Sequence, residues 1–280
     1  MSENTHQFNF IDEFYKKVDD MNIDWNVKGL IGNNNQVYAI GSDSKLLGRI
    51  FEIIAAPVIK KIAEEHGYIV RIPEKQNTYP DFTLMKSEDD TEKIAIDVKT
   101  TYKEGSKRLG YTLGSFTSYL RNNTKNIEFP YNQYKDHFVI GFLYDRNADA
   151  EEGQITSYEN IGLLDFPYYN VEYFVQRKIN ITGQKKGSGN TDNIGSISLR
   201  NLQEFKDANG PFASLPEKLY LHYWRNYPKY TQANKYYIDL STYFEWLELS
   251  IDTETDPEKL EELHDLLNYK QNFLDWESHQ

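Results

Sequence analysis

A mixed β-sheet flanked by helices, of the α/β (α+β) kind, is the fold class this sequence predicts. Strand-like and helix-like segments alternate along most of the chain. One amphipathic stretch, from residue 44 to about residue 66, is long enough to cover a sheet, and two strand-like runs, 82–86 and 93–100, are joined by polar turn residues. The 280 residues, 39% hydrophobic and 15% aromatic, suffice to bury a substantial core.

Taken in order, residues 10–18 read as a short helix with Phe10, Ile11, Phe14, Tyr15 and Val18 on one side, and 37–40 as a short strand. Ser42-Asp43-Ser44 supplies N-cap chemistry for the long helix. Its apolar stripe is Leu46, Leu47, Ile50, Ile53, Ile54, Ile59, Ile62 and Ala63; Gly67 ends it and Pro57 should kink it. Further strands are expected at 69–72, 82–86, 93–100, 137–144 and 171–181, and further helices at 116–122, 216–226 and 242–249. Near the end, Asp256 caps a helix with Pro257 in its first turn, and Leu260, Leu263, Leu267 and Leu274 form an apolar seam. The expected division is a main domain over 1–245 and an acidic helical extension over 246–280.

Composition excludes several kinds of chemistry. Without cysteine there are no disulfides, thiolate nucleophiles or Cys-based zinc sites, which suits a cytoplasmic protein. No apolar run reaches membrane-spanning length, and the first residues lack signal-peptide character. The six histidines are scattered without ligand spacing. A net charge of −12 opposes binding to a polyanion, but the segment from Glu245 onward holds eleven acidic and two basic residues, so the first 244 carry only −3. Lys99, Lys103, Lys107, Arg108, Arg121 and Lys125 are interrupted only by Glu104 and could line a phosphate track or simply a solvated loop.

The chemistry concentrates at Tyr79-Pro80-Asp81 and Asp97-Val98-Lys99. In an antiparallel hairpin centred between residues 86 and 93, Asp81 falls beside Asp97 and Lys99, with an uncertainty of about one residue. Asp97 and Lys99 share a face while Ile94, Ile96 and Val98 turn the other way. Two close carboxylates repel unless a cation separates them, and hard divalent ions such as Mg²⁺ take oxygen ligands. Such a site suits metal-assisted phosphodiester hydrolysis, with Lys99 orienting water or offsetting charge on the phosphate. Taken alone, D-x-K in a strand is more often an ordinary solvated face.

Glu52, on the long helix, could reach the same metal region, although a helical glutamate is usually only solvated. The run Gly187-Ser188-Gly189-Asn190-Thr191-Asp192-Asn193 allows close backbone approach and offers an asparagine whose donor and acceptor match adenine in the major groove. The bland alternative is a surface turn.

These residues, in this order, resemble the EcoRV family of type II restriction endonucleases, within the PD-(D/E)xK nuclease superfamily. The likeness runs from about Gly41 to about Tyr227 and rests on Gly41-Ser-Asp, Ile62-Ala-Glu, His66-Gly-Tyr-Ile-Val, Tyr79-Pro-Asp-Phe-Thr-Leu, Lys93-Ile-Ala-Ile-Asp, Lys99-Thr-Thr-Tyr, Arg121-Asn-Asn-Thr-Lys-Asn-Ile, Gly187-Ser-Gly-Asn-Thr and Tyr223-Trp-Arg-Asn-Tyr. It implies a restriction-endonuclease-like core with a small dimerisation region, to which the added C-terminal helical tail beyond Asn226 is an extension without a good counterpart. It further implies that Asp81 and Asp97, with the Val98 carbonyl and accessory Glu52, hold Mg²⁺, for which Mn²⁺ could substitute, and that Lys99 is the catalytic lysine.

By the same resemblance, Gly187, Ser188, Gly189, Asn190, Thr191 and Asn193 belong to the loop that reads bases, while Gln76 and Asn77 approach the minor groove. Thr100, Ser118, Lys125 and Arg146 are backbone-contact candidates. The implied enzyme is a homodimer on double-stranded DNA, cutting GATATC at its centre to blunt ends with 5′-phosphates, with a companion methyltransferase expected by analogy. Asp192 departs from the family, which has a neutral residue there, and puts the exact target in doubt. A structure-specific repair or junction nuclease would share Asp81, Asp97 and Lys99, and a non-catalytic DNA-binding module is the alternative from another class.

Overall fold

Asp43 starts the long helix as expected: its carboxylate accepts from the Lys45 and Leu46 amides, each at 3.0 Å, satisfying donors that a first helical turn leaves open. The computed structural model describes residues 8–187 and 191–279. The first half comprises α1 (Phe10–Asp20), β1 (Gly29–Ile31), β2 (Gln36–Ile40), α2 (Ser44–Glu65), β3 (Ile69–Arg71), β4 (Phe82–Met85), β5 (Lys93–Tyr102), β6 (Thr112–Ser115) and β7 (Tyr134–Arg146). The second comprises β8 (Glu152–Ser157), β9 (Tyr168–Arg177), α3 (Lys178–Ile181), β10 (Thr182–Lys186), β11 (Asn193–Ser196), α4 (Leu202–Lys206), α5 (Glu217–Asn226), α6 (Leu240–Ile251), α7 (Pro257–Leu267) and α8 (Lys270–Glu277).

The central sheet has the order β3-β4-β5-β7-β9 and is mixed, with β5 and β7 parallel and the other neighbours antiparallel. Its two faces bury separate cores. On one, Phe51, Ala55, Val58, Ile59 and Ile62 of α2 pack with Phe82, Ile94, Ile96 and Val98. On the other, Ala95 and Val139 join Tyr79, Tyr119, Tyr131 and the aromatic side chains of α5 and α6. Two three-stranded sheets flank this body, β1-β2-β8 and β10-β11-β6. Among the described residues no helix is long and apolar enough to cross a membrane.

Three expectations need correction. The strand expected over 171–181 ends at Arg177, and Lys178–Ile181 forms one helical turn. Side chains turn the chain there: Thr182 Oγ1 donates to the Lys178 carbonyl at 2.7 Å, and Gln176 Oε1 accepts from the Arg177 amide at 2.9 Å. The helix expected over 116–122 is a series of turns, because Ser115 Oγ accepts from the Thr117 amide and Ser118 Oγ donates to the Lys125 carbonyl. The C-terminal seam is displaced. The chain breaks at Asn268 and Tyr269 into α7 and α8, so Leu266 and Phe273 are buried while Leu274 is 41% exposed.

Candidate active site

The β4–β5 hairpin brings the acids together. Its register pairs Phe82 with Ile96 and Leu84 with Ile94, one residue tighter than the sequence estimate, and one further step sets Asp81 opposite Asp97. Lys93, fully buried, closes the turn by donating from Nζ to the Glu88 carbonyl at 2.8 Å and to Gln133 Oε1 at 2.9 Å. Because Ile94, Ile96 and Val98 face α2, alternation turns Asp97 and Lys99 to the opposite face.

Asp81 is held by its own hairpin partner, Oδ2 accepting from the Val98 amide at 2.7 Å. Asp97 is only 4% exposed. The Lys99 ammonium lies 2.7 Å from Asp97 Oδ2 and donates to the Val98 carbonyl at 3.3 Å. The Lys99–Asp97 pair lacks hydrogen-bond alignment, which leaves Asp97 Oδ2 a buried oxygen without a directed donor among the described residues. Burial, then the neighbouring Asp97, push the Asp81 carboxyl up to about 8; Glu52 adds to this, while Lys99 and the Val98 amide oppose it. For Lys99, burial works against the charge, but Asp97 and Asp81 outweigh it and raise its pKa.

Glu52 is ion-paired with Arg49 one turn earlier on α2. With Gln76, Val98, Lys99 and Thr100 it lines a cleft of about 440 Å³. An adjoining cleft of about 340 Å³ is lined by Gln76, Asn77, Asp81, Asp97, Lys99, Ser118 and Lys125, so the two share Gln76 and Lys99. Arg146 lines neither; its guanidinium lies over the Tyr102 ring at the far end of the sheet. Gly187, Thr191 and Asn193 flank the β10–β11 connection, where the Gly187 amide donates to the Asn193 carbonyl at 2.7 Å. Ser188, Gly189 and Asn190 lie outside the described residues.

The basic run is more neutralised than its sequence suggests. Lys103 pairs with Glu172, Lys107 with Glu104, and Arg121 donates to the Tyr227 carbonyl, whereas Lys125 forms no ion pair among the described residues. Sequence reasoning also missed Arg49, whose spacing of three from Glu52 was the available signal. Lys178 was missed as well. It is buried beneath Tyr79 and Tyr119, donates to the Tyr119 hydroxyl at 2.8 Å, and is pushed down to about 7 by burial, with Asp97 opposing the fall.

The model of the family described as restriction endonuclease EcoRV matches residues 21–248. The chain belongs to the EcoRV restriction endonuclease family. Type II restriction enzyme EcoRV of Escherichia coli is 44% identical over 231 residues, which cover 81% of this chain and 93% of that enzyme. Among solved structures, NlaIV restriction endonuclease aligns over 98% of this chain and 91% of its own at 13% identity, with a TM-score of 0.38. As a member of the EcoRV family, the chain is a type II site-specific deoxyribonuclease, and the hairpin carboxylates, Lys99 and the loop flanks lie within the matched residues. Among the described residues no group of three or more His, Cys, Asp and Glu side chains is arranged to hold a metal ion.

Proposed function

We propose that this enzyme cuts double-stranded DNA at the palindrome GATATC, at its centre, leaving blunt ends with 5′-phosphates, as a homodimer using Mg²⁺. The observation that carries the reading is the placement of Asp81 opposite Asp97 with the Lys99 ammonium against the buried Asp97 oxygen. The donor set fits a small hard cation: Asp97 Oδ2 lacks a directed donor, and Asp81 holds its proton unusually tightly because of burial and Asp97. Asp81, Asp97 and the Val98 carbonyl would hold the ion, with Glu52 reaching its water shell. When bound, Mg²⁺, or Mn²⁺ in its place, supplies Lewis-acid polarisation and an acidified water.

The chain's own residues do the rest. Lys99 donates to a non-bridging phosphate oxygen and offsets charge as a water, giving up its proton to solvent, attacks phosphorus in line. The bond to the 3′ oxygen breaks, and that oxygen takes a proton from solvent. The β10–β11 connection reads bases from the major groove, Gln76 and Asn77 approach from the other side, and Thr100, Ser118, Lys125 and Arg146 meet the backbone. A two-fold dimer presents the same loop to both half-sites, so its target is a palindrome. A self-pairing surface is available on the small sheet, where the cross-strand neighbours Leu30, Tyr38 and Ile155 are 57%, 39% and 55% exposed. The enzyme would act in the cytoplasm beside a methyltransferase that protects host DNA.

Digestion of a plasmid of known sequence with and without Mg²⁺, followed by sequencing of the fragment ends, tests this. Blunt ends inside GATATC only with metal are expected. Discrete cuts elsewhere would sink the assigned site, and nicking confined to branched or mismatched DNA would sink the sequence-specific reading.

A further inference from the structure

Asp192, the acid that departs from the family's recognition loop, is half-buried and has its carboxylate hydrogen-bonded to its own chain. Its Oδ1 accepts from the Tyr230 amide at 2.8 Å. Its own carbonyl accepts from the Phe116 amide at 3.0 Å and from Ser115 Oγ at 3.2 Å. The following residue, Asn193, pairs with Ser115 in the β11–β6 ladder. From the other side, the Lys186 ammonium lies 5.2 Å from the Tyr230 ring centre. Gly114 and Ser115 line the cleft that holds Asp81, Asp97 and Lys99. One residue therefore ties three pieces of chain together: the end of the β10–β11 connection, the strand walling the catalytic cleft, and the segment between α5 and α6.

We propose that Asp192 is a positioning residue for site recognition, clamping the base-reading connection to Tyr230 and to the wall of the catalytic cleft. A carboxylate presented to DNA would repel phosphate, whereas one accepting from a backbone N–H forms a charge-assisted hydrogen bond. The clamp fixes the distance between base reading and cutting, so its loss relaxes discrimination between sites more than it slows cleavage of the correct one. This rests on the DNA-cleaving function proposed above.

The test measures cleavage rates on a duplex carrying the site found by end sequencing and on duplexes with one base pair changed. Wild type is compared with Asp192→Ala, Asp192→Asn, which keeps the acceptor, and Tyr230→Pro, which removes the donor N–H. Asp192→Ala and Tyr230→Pro should each lower the ratio of correct to altered-site cleavage roughly tenfold, equivalent to about 1.4 kcal/mol, the scale of one hydrogen bond to a charged group. Combined, they should do no more than either alone, and Asp192→Asn, which keeps the acceptor without its charge, should fall between wild type and Asp192→Ala.

Hydrogen exchange at the Tyr230 amide gives an independent reading, protected in wild type and Asp192→Asn but not in Asp192→Ala, and it serves if Tyr230→Pro fails to fold. Wild-type discrimination in Asp192→Ala, or independent addition of the two effects, would overturn the clamp alone. A wild-type enzyme that cuts at no fixed site would overturn the underlying function as well.

Discussion

Asp81 lies one register step beyond the Phe82–Ile96 pair and so faces Asp97 across the hairpin. That juxtaposition, with burial first, lifts the Asp81 carboxyl from 3.8 to about 8. A carboxyl whose folded pKa lies above its unfolded value binds more protons when folded, so its contribution to stability falls as pH rises from 3.8 to about 8. In chelator, Asp81→Asn should therefore melt a few degrees above wild type at pH 8, the difference shrinking toward pH 4, and with Mg²⁺ supplied its cleavage should be lost. Thermal unfolding across pH measures this; a variant no more stable than wild type at pH 8 would show that the two acids are not in conflict.

Lys99 stands at the junction of both clefts, its ammonium 2.7 Å from Asp97 Oδ2. Lys99→Ala should lower the single-turnover cleavage rate by about 10²–10³-fold, the usual effect of removing one donor to a developing anion. DNA affinity measured by anisotropy in chelator should change far less. Retention of more than a few per cent of activity would show that another group supplies the positive charge.

The hairpin and the long helix were legible because they depend on local rules: strand alternation, a polar turn and a helix cap fix where Asp81, Asp97, Lys99 and Glu52 fall. The observed register falls within the one-residue uncertainty of the sequence expectation, shifted because the Lys86 amide turns to Asp90 Oδ2 and ends β4 at Met85. The turn at Lys178 and the non-helical run after Ser115 were not legible. Both are set by side-chain hydrogen bonds to the backbone, which leave no periodic trace. The engagement of Asp192 was equally hidden, since Tyr230 lies 38 residues away.

Lys178 offers a pH prediction of opposite sign. Burial lowers its folded pKa to about 7 from 10.5, so the unfolded chain binds more protons in between and stability should rise with pH across that window. Lys178→Met should flatten this rise and raise the melting temperature at pH 7. A wild-type slope unchanged by the substitution would place the titration elsewhere.

Leu30, Tyr38 and Ile155 form one row across the small sheet. If they join two copies, wild type should sediment at twice 32.9 kDa. Leu30→Asp with Ile155→Asp should shift the species to monomer and lower double-strand cleavage with it. A wild type that sediments as a monomer while bound to its site would exclude this interface.

The acidic tail is tied to the body rather than only appended to it. Leu263, Leu266 and Phe273 share one apolar cluster with Phe244 and Leu247, and Lys270 pairs with Glu248 at 2.6 Å while Trp276 Nε1 donates to the Asn209 carbonyl at 2.6 Å. Leu266 is 1% exposed. Leu266→Ala should destabilise by about 2–5 kcal/mol through lost burial and the cavity left behind, while Leu267→Ala, only partly buried, should cost less. Denaturant unfolding distinguishes them, and equal losses would mean that the helix presents a different side to the core. If the tail acts only by packing, neither variant should alter the salt dependence of DNA binding, because no charge moves. A changed slope in Leu266→Ala would instead mean that releasing α7 alters the field at the DNA-binding surface.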